Sequence, residues 1–107
     1  MTDRELLELA AKAAGLDDAR WQDGIWSEKL WEVIGSEYWN PLEDDGDAFR
    51  LMVELRLNVG VNAKYSDTIV FVGTEGVFSV KHHEDDPTAA TRRAIVMAAA
   101  EIGRGMG

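Results

Sequence analysis

The chain has 107 residues, 46% of them hydrophobic, which is the size and apolar content of one folded domain with a single core. It carries 20 acidic against 11 basic residues, a formal charge of -9, so it lacks the Lys and Arg excess needed to displace counterions from a nucleic-acid backbone. It has no cysteine, which excludes disulfides, thiolate nucleophiles and thiolate metal sites by count.

The first residues, Met1 to Glu5, mix charge with polar groups, and no apolar run approaches the ~20 residues that span a bilayer. The expectation is a cytoplasmic protein. Thr2 followed by Glu5 is a capping box, in which a hydroxyl and a carboxylate each satisfy a free backbone N–H at a helix start. Leu6, Leu9, Ala10, Ala13 and Ala14 then recur at helical spacing, and Gly15 supplies a left-handed cap, predicting a helix over 3–14.

Residues 16–40 place Trp21, Trp26, Trp31, Tyr38 and Trp39 among turn formers. Asp23-Gly24 between Trp21 and Ile25-Trp26 fits a tight hairpin, and Leu30 to Ile34 reads as a strand by its β-branched and aromatic content. Pro41 stops what precedes it. The acidic run Glu43-Asp44-Asp45-Gly46-Asp47 then suits the electropositive start of a second helix. Its apolar stripe is Ala48, Leu51, Met52 and Leu55, with Asp47, Arg50 and Glu54 facing water and an end near Leu57 or Asn58.

Val59, Val61, Ala63 and Tyr65 alternate with smaller or polar residues, as in a strand with one covered face. Ile69-Val70-Phe71-Val72 does not alternate, which predicts a central strand covered on both faces. A turn at Gly73 to Gly76 leads into a strand from Val77 to His82. Asp86 caps a last helix with Pro87 at its first position, lined by Thr91, Ala94, Ile95, Ala98 and Ile102. Gly103 ends it, leaving 103–107 as a frayed tail. The expected class is α+β, one domain over 1–107, in the order α-β-β-α-β-β-β-α with a mainly antiparallel sheet.

Few residues suggest chemistry. Placing Gly46 at the sixth position of an EF-hand loop puts Pro41 first and Met52 twelfth, where acidic ligands are required, so the acidic run is read as helix-start charge. His82, His83 and Asp85 are the candidate metal ligands, within the one segment where imidazoles and carboxylates cluster. Adjacent histidines on a strand point to opposite faces, so a solvated strand-to-helix turn is the competing reading. Trp26 and Trp31 are candidates for a partner surface, because charged neighbours hold them near solvent, against the commoner fate of core packing. Arg92 and Arg93, on the outer side of the last helix, are candidates for binding an acidic group, against a role in solubility. The serines lack a Gly-x-Ser-x-Gly context and the glycines match no phosphate loop, so no catalytic residue and no cofactor are expected.

Three stretches carry a family resemblance. They are Leu6-Leu7-Glu8-Leu9-Ala10-Ala11-Lys12-Ala13-Ala14-Gly15, Trp39-Asn40-Pro41-Leu42 running into Asp44-Asp45-Gly46-Asp47-Ala48, and Asp86-Pro87 with Ala89-Ala90-Thr91-Arg92-Arg93-Ala94-Ile95-Val96. Together they resemble small proteins of tailed bacteriophages and prophages, the phage ABA sandwich domain group, NinX-like in flavour. The resemblance implies a three-layer α/β/α sandwich and a phage or prophage origin in a bacterial host. It carries no activity and no functional residue. The leading expectation is a non-enzymatic accessory module that binds a host or phage protein. A small metal-dependent enzyme using the His82-His83 region and an acidic DNA mimic are the alternatives. Oligomeric state is not legible in the sequence.

Overall fold

A computed structural model of the chain describes residues 1–62, 67–72, 76–81 and 86–106. The class is mixed α+β, and helices and strands follow broadly the expected order. Its radius of gyration, 13.2 Å, is that of one compact globule of this length.

Helix α1 spans Asp3–Ala13. The Thr2 hydroxyl accepts the Glu5 N–H at 3.2 Å and donates to the Glu5 carboxylate at 3.1 Å. The capping pair therefore closes on itself, and the carboxylate does not reach back to a backbone N–H. At the other end Gly15 is left-handed, with φ of 81°, and Leu16 N–H reaches the Ala11 carbonyl.

A small antiparallel sheet follows, formed by β1 (Arg20–Trp21), β2 (Ile25–Trp26) and β3 (Tyr38–Trp39), in that order. The hairpin expected around Asp23-Gly24 is the β1–β2 turn. The segment Leu30 to Ile34, expected as a strand, is instead a 3-10 turn, Glu28–Leu30, running into the short helix α2, Trp31–Ile34. The reason lies in its spacing and its ends. Leu30 and Ile34 are four residues apart and turn inwards, while Trp31 and Val33 are exposed. The Asp18 carboxylate accepts from the Ser27 hydroxyl and from Glu28 N–H, which starts the helical turn. Gly35, at φ of 69°, ends it.

Helix α3, Asp45–Glu54, is anchored to β3 through a chain of carboxylate and amide contacts. Asp44 caps it by accepting Asp47 N–H at 2.8 Å. Asp47 was expected in water, yet it is 5% exposed, because its carboxylate accepts Asn40 N–H at 2.9 Å and pairs with Arg50 at 2.7 Å. Asn40 in turn accepts Leu42 N–H around the buried Pro41.

The second sheet is antiparallel, β4 (Asn58–Asn62), β5 (Asp67–Val72) and β6 (Gly76–Lys81), with β5 central. Helix α4, Pro87–Gly105, lies against this sheet with one side and against α1 and α3 with others. That position explains its composition. Ala90, Ala94, Ala98, Ala99 and Ala100 are all buried, and small side chains let three neighbours approach at once. The helix does not end at Gly103 but continues to Gly105, and Gly103 is buried against the Leu9 backbone of α1.

Two-sided coverage of residues 69–72 is not what is found. Val70 is fully buried beneath α4, whereas Phe71, on the opposite face, is 45% exposed. A continuous apolar run marks a central strand here without marking a second layer of helix.

Candidate functional site

Helix α3 carries more apolar surface than the core uses. Ala48 and Leu51 are buried, while Phe49 and Val53, one turn apart, are 61% and 56% exposed. At 3.6 residues per turn the apolar residues 48, 49, 51, 52 and 53 cover more than half of the helix circumference. At Phe49 and Met52 this surface faces a groove of 340 Å³ between α3 and α4, with Val53 exposed one turn beyond it. Phe49 and Met52 form one wall, Pro87, Thr88 and Thr91 the other, and Val61 of β4, 59% exposed, closes the side. Ala48 and Ile95, both buried, make the floor.

Three polar side chains of the groove, Thr91, Arg92 and Asp45, are already engaged. Thr91 Oγ1 lies 2.7 Å from the Pro87 carbonyl, to which it donates, and 2.9 Å from Thr68 Oγ1. Arg92 donates from Nε to the Leu42 carbonyl at 2.9 Å and from Nη1 to Asp45. It is a strut between α4 and the start of α3, facing inward to that junction with a side chain only 18% exposed. The lining therefore offers apolar contact and shape, with no base poised against a hydroxyl nucleophile. That is chemistry suited to receiving apolar side chains.

The other candidates from the sequence do not converge on this groove. Arg93 pairs with Asp3 at 3.1 Å, tying α4 to the start of α1. Trp26 is half-buried, donates from Nε1 to the Gln22 carbonyl at 2.8 Å, and meets Tyr38 edge-on at 5.2 Å. Trp31 is 62% exposed on α2, and Val33, two residues on and so on another side of the helix, is 72% exposed. Among the tryptophans, Trp39 is in the core and Trp21 is half-buried, with the Arg4 guanidinium 5.3 Å from its ring centroid. His82, His83 and Asp85 lie outside the described residues. Among the described residues no group of three His, Asp or Glu is placed to hold a metal ion.

Shifted ionisation occurs elsewhere, at the β2 end. The Ser27 hydroxyl holds the Asp18 carboxyl below its usual value, and the Lys29 ammonium does the same for Asp17 while its own pKa is raised by that partner. These groups fasten a surface turn, through the contacts of Asp18 with Ser27 and Glu28 N–H and of Asp17 with Lys29.

Sequence reasoning missed Phe49, Val53 and Val61. A signal for the first two was present, since they stand at helical spacing outside the core stripe. Val61 could not be recognised in this way, because an alternating strand does not reveal which helix fails to cover it. Compared with known protein families, curated proteins and solved structures, the chain matches none.

Proposed function

We propose that the chain is a non-enzymatic protein-binding module, an accessory protein of the phage or prophage kind its helix-start and helix-face motifs resemble, acting in the cytoplasm of a bacterial host. The observation that carries the reading is the exposure of Phe49 and Val61 at a groove with an apolar floor, next to Val53, exposed one turn further along α3. Large apolar side chains grouped at an indentation mark interaction sites, whereas single exposed ones are ordinary. No helix among the described residues is long and apolar enough to cross a membrane.

The test is differential capture from a bacterial lysate at physiological salt, comparing the wild-type chain with Phe49→Asp and Val53→Asp. Both side chains are more than half exposed, so the variants keep their circular dichroism spectra. The expected outcome is a protein retained by the wild-type chain and lost with each variant. Identical retention by all three chains, or retention of nothing, overturns the reading.

A further inference from the structure

Strand β4 is an edge strand, with β5 as its partner on one side. Its register with β5 is unbroken from Asn58↔Phe71 to Asn62↔Asp67, so no bulge turns the edge away. Sheets otherwise guard an edge with proline or charge, and Asn58-Val59-Gly60-Val61-Asn62 contains neither. Among the described residues no backbone hydrogen bond other than those to β5 reaches this strand. Every second residue of an antiparallel strand turns its N–H and C=O away from its neighbour, so β4 presents a row of free donors and acceptors.

The order of the side chains says what fits that row. The five residues read identically in both directions about Gly60. Two copies of β4 laid antiparallel on a two-fold axis through Gly60 place Val59 opposite Val61 on one face and Asn58 opposite Asn62 on the other. Apolar pairs and amide pairs are both favourable across strands. The strand is uncharged within a chain of -9, so the pairing sets no carboxylate opposite another. Val61, exposed at the groove, is covered by the same step.

We infer that the chain forms a two-fold homodimer by antiparallel pairing of β4 with β4 of a second copy, which joins two three-stranded sheets into one continuous sheet. The inference shares Val61 with the groove reading but is carried by the β4 edge, and the groove reading is tested separately through Phe49 on α3.

Sedimentation of the intact chain from about 1 to about 200 μM resolves a reversible dimer of this kind. Because two bodies of charge -9 repel, the dimer tightens severalfold between about 0.02 and about 0.3 M salt, the opposite of what a basic partner does. Gly60→Cys supplies a positional readout. The chain has no other cysteine, and a Cβ at Gly60 meets nothing within 4 Å. Opposed residues on antiparallel strands have Cα atoms about 4.5–5.5 Å apart, inside the disulfide range. Mild oxidation is expected to link Gly60→Cys copies at least about tenfold faster than copies of Val33→Cys, another exposed position, on α2. Val61→Lys places charge on the edge and is expected to leave a folded monomer. A chain that stays monomeric at both salts overturns the inference. So does a dimer that Gly60→Cys fails to cross-link preferentially and Val61→Lys fails to dissociate, or open-ended polymers, which signal pairing of β4 with β6.

Discussion

Adding one methyl group at Gly103 sets two effects against each other. An alanine in a helix interior is favoured over glycine by about 1 kcal/mol. The added Cβ would, however, lie 1.9 Å from the Leu9 carbonyl oxygen and 2.8 Å from its carbon, both backbone atoms that no rotamer change can move. Forcing the helices apart costs about 1–3 kcal/mol and undoes the packing of the small residues beside it. Gly103→Ala is thus expected to lower unfolding free energy by about 1 kcal/mol in a urea titration, and a stabilised variant would show that α1 and α4 are not in this contact. Asp18 makes a different prediction. Its carboxyl is held below 3.8 chiefly by the Ser27 hydroxyl. A depressed carboxylate stabilises the fold above its unfolded value, and that contribution is lost as pH falls through the lower folded value. An NMR titration should place the Asp18 midpoint below 3.8 and move it up in Ser27→Ala; a midpoint unaffected by that change contradicts the hydrogen bond.

At the level of the elements, helix starts organise the acidic residues. Asp44 and Asp86 each accept an N–H of the first turn of α3 and α4, and Thr2 does so for α1. Removing such a cap costs about 1 kcal/mol, so Asp86→Ala should lower the denaturation midpoint by that equivalent without altering the spectrum. Asp47 is the carboxylate in this region with more at stake. Asp47→Ala leaves the Asn40 N–H without its acceptor in a partly buried position and leaves Arg50 only the more distant Asp44, a loss of about 1 kcal/mol once the half-exposure of Arg50 is allowed for. Asp47→Asn, which can still accept from Asn40, is expected to lose less, as measured by the same unfolding curve. If the two variants unfold alike, the junction between β3 and α3 depends on charge and not on that hydrogen bond.

For the molecule as a whole, α4 is the organising body. It lies between the β4–β6 sheet and α1, and α3 leans on its side, so the groove exists because α3 and the edge strand both abut one helix without meeting over it. The net charge is strongly negative. A chain of -9 repels itself in the compact state, and raising salt from about 0.02 to about 0.3 M should raise its thermal midpoint by a few degrees. A midpoint that falls with salt would mean that ion pairs such as Arg4–Glu8 and Arg93–Asp3 outweigh the repulsion.

Local signals settled the parts of the fold that local physics controls. Thr2, Gly15, Asp86 and Pro87 mark helix ends because capping involves only neighbouring residues, and Asp23-Gly24 marks its hairpin for the same reason. The alternation of Val59 and Val61 identified β4 likewise. The tertiary structure alone decided whatever depends on who is next to whom. Leu30 to Ile34 became helical because Asp18, ten residues before Glu28, accepts its N–H. Asp47 went inside because Asn40 needed an acceptor, Phe71 stayed out because α4 covers one face of the sheet, and Phe49 with Val61 line one groove because α3 and β4 both meet α4. Burial is a property of neighbours brought together by the whole chain, so a residue's own pattern can nominate a surface but cannot say which of its faces is left open.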